Sequence, residues 1–200
     1  DLVTATTGFV SGSTVDLSGA TDTLVLASAG NTLTVANVEI LTGGAGADLV
    51  TATTGFGIGS TVDLSGGSDT LILASGGNTL TVANVESLTG GAGADLVTVA
   101  TSFTSGSTVD LAAGTDTLIL ASGGNTLTVA NVESLTGGAG MDRVTATTAF
   151  TSGGAVDLAA GSDTLVLASG GNTLAVANLE VLTGGAGADL VTATTSFTSG

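Results

Sequence analysis

The chain has no cysteine, histidine, proline, tryptophan or tyrosine, and only one basic residue in 200. Each absence removes a class of chemistry. Without histidine or cysteine there is no Ser-His-Asp or Cys-His nucleophile pair. There is also no zinc, haem or iron–sulfur site built from the usual ligands. One cation cannot neutralise a phosphate backbone, so nucleic acid is excluded as a partner. No cysteine means no disulfide framework, which says nothing against secretion. No apolar run approaches the roughly 18 residues a membrane span requires. No basic segment followed by an apolar stretch marks a signal peptide.

What is present is acidic, small and apolar. Seventeen Asp and Glu give a formal net charge of -16, and there are 33 glycines. Mean hydropathy is nonetheless +0.61. That excludes a disordered acidic tail, and the glycines lack the three-residue period of collagen. Carboxylates, hydroxyls, amides and backbone remain as functional groups, a set suited to hard cations such as calcium.

A single unit repeats along the chain. DLVTATT begins at Asp1 and Asp48, recurs as DLVTVAT at Asp95 and DRVTATT at Asp142, and returns at Asp189. The period is 47 residues without insertion or deletion. One continuous array is therefore expected, with repeats at 1–47, 48–94, 95–141 and 142–188 and a partial copy at 189–200, as a piece of a longer chain. A second Asp-led segment opens at Asp22, Asp69, Asp116 and Asp163, so Asp turns alternate at spacings of 21 and 26 residues. An all-β fold is predicted, a parallel β-solenoid (β-roll or β-helix) with two coils, of about 21 and 26 residues, per repeat. Nine coils would span roughly 40 Å at ~4.8 Å per strand.

Strands are expected at 2–6, 13–17, 23–26, 31–36 and 38–42 of the first repeat, where Val, Leu, Ile and Thr alternate with period two. Val3, Val50, Val97 and Val144 do not vary between copies, and neither do Leu24, Leu71, Leu118 and Leu165; both columns suit the interior. Phe9, Phe56, Phe103, Phe150 and Phe197 are predicted to stack in a wide corner. Two Asn columns, one through Asn31 and one through Asn37, are expected to form amide ladders in turns. Leu2, Leu49, Leu96 and Leu190 share a column with Arg143, which predicts an exposed apolar stripe for lateral association with another chain or another layer of the same protein, while uncapped strand edges predict end-to-end association with like chains. The spacing of Val38 and Leu41 suggests a third face in the longer coil.

The most specific motif is GGAGAD before a strand, at Gly43, Gly44, Gly46 and Asp48. It recurs at Gly90, Gly91, Gly93 and Asp95, at Gly137, Gly138, Gly140 and Asp142, and at Gly184, Gly185, Gly187 and Asp189. Glycines there are expected to adopt positive φ and gather carbonyl oxygens, with Asp adding a carboxylate. The pattern fits G-G-x-G-x-D-x-U-x, and the chain resembles RTX (hemolysin-type) calcium-binding repeats of long bacterial adhesins, surface layers and extracellular filaments. The resemblance implies calcium at these residues and an extracellular or cell-surface location. The turns ending at Asp22, Asp69, Asp116 and Asp163 depart from the family motif, reading as one glycine and one residue short, yet they are candidate ligands too.

Two further acidic columns, through Asp16 and Glu39, are expected as solvated surface charge. Every copy presents the same groups and no unique cleft, so no enzyme is expected. The leading expectation is a structural, calcium-stabilised segment of a secreted bacterial surface protein or filament. The alternatives are an ice-binding threonine array, from pairs such as Thr4 with Thr6 and Thr32 with Thr34, or a passive stalk for a distal recognition domain.

Overall fold

A computed structural model describes residues 1–195; Phe197 lies outside the described residues. The first repeat forms β1 (Leu2–Thr4), β2 (Ser13–Asp16), β3 (Thr23–Val25), β4 (Thr32–Ala36) and β5 (Ile40–Thr42), at the five predicted places but each shorter. The second forms β6 (Leu49–Ala52), β7 (Ser60–Asp63), β8 (Thr70–Ile72), β9 (Thr79–Ala83) and β10 (Ser87–Thr89). The third forms β11 (Leu96–Val99), β12 (Ser107–Asp110), β13 (Thr117–Ile119), β14 (Thr126–Ala130) and β15 (Ser134–Thr136). The fourth forms β16 (Arg143–Ala146), β17 (Gly154–Asp157), β18 (Thr164–Val166), β19 (Thr173–Ala177) and β20 (Val181–Thr183), and β21 (Leu190–Ala193) opens the next.

Odd-numbered strands make one sheet of 11 and even-numbered strands another of 10. Pairing within each sheet is parallel. Consecutive strands always fall in opposite sheets, so the chain winds as a parallel β-solenoid of about 10 coils. At ~4.8 Å per strand this spans roughly 50 Å rather than 40. Inward residues on both sheets form one core. Val50, Val97, Val144, Leu71, Leu118 and Leu165 are all fully buried, as their constant columns predict.

The winding differs from expectation in one consequential way. Each 47-residue repeat carries five strands, so it makes two and a half coils, not two coils of about 21 and 26 residues. Paired residues lie 17, 20 or 21 positions apart, as in Thr23 with Ile40, Ser13 with Leu33 and Leu2 with Thr23. An odd strand count sends successive repeats to opposite sheets. β1 and β11 lie in the larger sheet, while the equivalent β6 and β16 lie in the smaller one.

Three expectations change with it. The column of Leu2, Leu49, Leu96, Arg143 and Leu190 is exposed, but it alternates between faces and forms no stripe. Phe56, Phe103 and Phe150 are buried, yet they sit on alternating edges, so no aromatic stack forms. The bend near Val38 is not a third face. Asn37 takes φ 53° and turns the chain from β4 directly into β5 on the opposite sheet.

Left-handed backbone is also imposed on residues with a side chain. Ala112 and Ala159 both sit at φ 66°. A Cβ there costs roughly 1–2 kcal/mol, of which glycine's extra unfolded-state entropy returns up to about 1. Ala112→Gly is therefore expected to stabilise the protein by about 0.5–1 kcal/mol in urea unfolding, and a lower midpoint contradicts the strain.

Candidate functional site

Three turn types carry the chemistry, and each is six residues long. They run over 26–31, 43–48 and 64–69 on one edge, where they connect β3 to β4, β5 to β6 and β7 to β8. The Asp22 and Asp69 turns thus do not lack a residue relative to GGAGAD. The turn ending at Asn31 is a third member of the same set. Above these three come the short Asn84–Glu86 turn and the long Phe103 turn, after which the order recurs. The opposite edge carries the same series half a period out of step.

A side chain from each turn caps a backbone N–H of the turn before it. The Phe9 N–H donates to Asn31 Oδ1 at 3.1 Å. The Asn31 N–H donates to Asp48 Oδ1 at 2.9 Å, and the Asp48 N–H to Asp69 Oδ1 at 2.7 Å. The Asp69 N–H donates to Glu86 Oε2 at 2.8 Å, and the Asn84 N–H to Thr101 Oγ1 at 2.6 Å. Five coils close the cycle. The other edge repeats it through Phe56, Asn78, Asp95, Asp116 and Glu133. The Asn31 Nδ2 also donates to Asp48 Oδ1 at 2.7 Å and back to the carbonyls of Ala27 and Ala29.

Both acidic columns expected to be solvated belong to this scaffold. Glu39, Glu86, Glu133 and Glu180 each accept the N–H of a buried Asp. Asp16 accepts the Ser18 N–H and the Asn37 Nδ2. The Asn37 bond, then those from Ser18, hold its carboxyl below the usual carboxylate range. The available signal was the constant Asn two residues before each Glu, at Asn37, Asn84, Asn131 and Asn178.

The GGAGAD glycines serve a different need from the one expected. None of Gly43, Gly44 and Gly46 is in the left-handed region. Adjacent turns instead press onto them. A Cβ on Gly44 would run into the Ala27 carbonyl, and one on Gly43 into the Leu64 carbonyl and, at 2.7 Å, Asp48 Oδ2. Gly76, by contrast, faces open space. Gly91→Ala, at the position equivalent to Gly44, is expected to cost about 3 kcal/mol or more, and Gly76→Ala less than about 0.5. Equal costs in urea unfolding contradict the close stacking.

The two Asp columns differ in how their oxygens are used. Asp48, Asp95 and Asp142 are buried, with Oδ1 on the preceding Asn and Oδ2 on the N–H of Gly44, Gly91 or Gly138 in their own turn. Asp189 makes the same bonds, and those from Asn172 hold its carboxyl low. Asp22, Asp69, Asp116 and Asp163 are at most 1% exposed, and each leaves Oδ2 buried without a hydrogen-bond partner. Burial pushes Asp69 up to about 6; its bond from the Asp48 N–H opposes this, and the carboxylates of Asp48 and Glu86 add to it. Asp116 and Asp163 are raised by the same causes.

These raised values set a pH dependence. The native state keeps protons that the unfolded chain has already lost, so this contribution is full below about pH 4 and is lost as pH rises through the folded value near 6. In a chelator, the melting temperature is expected to fall between about pH 4 and 7. Asp69→Asn, Asp116→Asn and Asp163→Asn together should flatten that slope. A melting temperature that climbs over the interval contradicts the assignment.

Among the described residues, no three acidic side chains converge on a common point that suits a metal ion. A cation here would draw mainly on backbone carbonyls, with one or two carboxylates. The orphaned Oδ2 atoms of Asp69, Asp116 and Asp163 fit that requirement, because each is a desolvated carboxyl oxygen beside a GGAGAD turn.

Residues 37–56 match the family model of the RTX calcium-binding nonapeptide repeat (4 copies). They span one GGAGAD turn and its flanking strands. That match and the parallel β-solenoid together fit an RTX repeat protein, a structural fold. The RTX family binds calcium, and its repeats occur in secreted bacterial proteins. No curated protein and no solved structure matches the chain. No helix among the described residues is long and apolar enough to cross a membrane.

Proposed function

We propose that this chain is a calcium-stabilised structural segment of a secreted bacterial surface protein or extracellular filament, in an adhesion, matrix or surface-layer role and without catalytic activity. One observation supports calcium most strongly: a buried, unpartnered Asp oxygen recurs at Asp22, Asp69, Asp116 and Asp163, and the last three lie in the coil next to a GGAGAD turn. Asp69 and Asp116 would supply carboxylate oxygen to ions beside Asp48 and Asp95. Carbonyls of Gly43, Gly44 and Gly46, and of their equivalents Gly90, Gly91 and Gly93, would complete the shell. Calcium supplies positive charge that stacked carboxylates otherwise lack, so binding would join coil to coil and stabilise the folded state.

Melting in calcium against EGTA tests this. Saturating calcium at about 100 times its dissociation constant is expected to add about 2.7 kcal/mol for each independent site. Asp69→Asn with Asp116→Asn should remove most of that gain while leaving the EGTA melt folded. Identical melts of the parent in calcium and EGTA would rule out calcium as the stabilising ion. A stalk carrying a distal recognition domain shares this structure and this test.

The in-register hydroxyls favour a second reading, a face that orders water as ice binders do. Thr70, Ser87, Thr108, Thr128 and Thr145 line up on five successive coils. Val166 and Leu49 interrupt the array on either side. Thermal hysteresis at millimolar protein supports this reading, and none removes it.

A further inference from the structure

We infer that both sheet faces of the solenoid are docking surfaces for further copies of this chain, and that face-to-face stacking is open-ended rather than closing at a dimer. The inference goes beyond calcium binding and does not depend on it.

The first support is where the charge lies. Of the 17 acidic residues, 13 lie outside the strands. The other four, Asp16, Asp63, Asp110 and Asp157, are the last residues of their strands. Those four are drawn into the turns by hydrogen bonds, as when Asp63 accepts the Ser65 N–H and the Asn84 Nδ2. Between those strand ends the faces carry no acidic side chain, and Arg143 on the smaller sheet is their one charged residue among the described residues. On the larger sheet Thr23, Ile40, Thr61, Thr81, Thr98 and Ile119 form one in-register row. On the smaller sheet the matching row is Thr70, Ser87, Thr108, Thr128, Thr145 and Val166. A chain with a net charge of -16 thus presents two faces that another copy can approach, because its repulsive groups are confined to the two edges.

The second support is area. About ten strands at ~4.8 Å, each about four residues long at ~3.3 Å, make a face of roughly 650 Å². Two faces in contact would bury roughly 1,300 Å², within the lower range of stable, specific interfaces. Sheets packed face to face sit ~10 Å apart. The edge charges of two copies would then be about one Debye length apart at 0.1 M salt.

Open-endedness comes from the half-coil. Successive repeats present equivalent positions on opposite sheets, so the two faces are closely similar, differing at positions such as Ile40 and Ser87 or Leu96 and Arg143. A copy docked on one face leaves the other equally competent, and association propagates instead of closing.

The test is sedimentation equilibrium of the intact chain in EGTA, so that calcium bridging plays no part. At about 100 µM and above, the parent mass is expected to grow past the dimer with concentration. Ile40→Glu with Ile119→Glu blocks the larger sheet and should stop assembly at the dimer. Ile72→Glu with Val166→Glu blocks the smaller sheet and should do the same. All four together should give a monomer with an unchanged circular dichroism spectrum. A monomeric parent, or a fourfold variant that assembles like the parent, overturns the inference. If the Glu variants fail to fold, the parent still decides. Association should strengthen from about 20 to 300 mM NaCl as edge repulsion is screened, and weaker or unchanged association overturns it.

Discussion

Each turn of this solenoid depends on the coil that follows it. A buried N–H at the edge of one coil finds its acceptor in a side chain of the next: Asn31, then Asp48, Asp69, Glu86 and Thr101. A desolvated N–H without a partner costs about 1–3 kcal/mol, whereas a made bond adds only about 1. The edge is therefore stable only as a run. Removing one cap leaves a deficit in the preceding coil, and removing Asn31 or Asp48 also strands the side chain of the other. The uniform length of the three six-residue turns follows from this, because a cap reaches its target only when successive turns superimpose. The pressed glycines follow too, since turns close enough to exchange these bonds leave no room for a Cβ.

The same constraint explains the odd strand count. Five caps of four residue types, Asn, Asp twice, Glu and Thr, are used in rotation, and the 47-residue unit contains each once. Two units, 94 residues, complete five coils on one edge. The half-coil left by each unit carries the next to the opposite edge. Acidic residues that would otherwise form one continuous line of charge are thereby divided into short groups on two edges, separated by Asn, Thr and Phe turns. What reads in the sequence as four columns of acid becomes a balanced pair of edges and two nearly uncharged faces.

The all-β class, the parallel winding, the five strand positions and the inward Val and Leu columns were legible in the sequence, because period two and strict repetition survive translation into structure. The coil length was not. Reading coils from the Asp-led turns gave spacings of 21 and 26 residues, and it hid the turns at Asn31 and Glu39 inside the longer one. Asn31 occupies the position of an Asp, but its amide donates as well as accepts, so the residue letter conceals the likeness. GGAGAD was recognisable as a motif, whereas the reason for its glycines was not. Close approach by another coil leaves no local signature, while positive φ is the commoner reason for glycine in turns. The candidate ligands at Asp48 and Asp69 sit together on one edge, as their pattern implied. Which oxygen is free depends on the register between coils, and that is set by the five-strand rotation.

Amide hydrogen exchange at the edge tests the capping ladder most directly. The N–H groups of Phe56, Asn78, Asp95 and Asp116 lie in turns, where unassisted amides exchange quickly. If side chains of the following coil hold them, all four exchange together at rates near those of the core strand β9. Fast exchange of these amides while β9 remains protected would contradict the ladder.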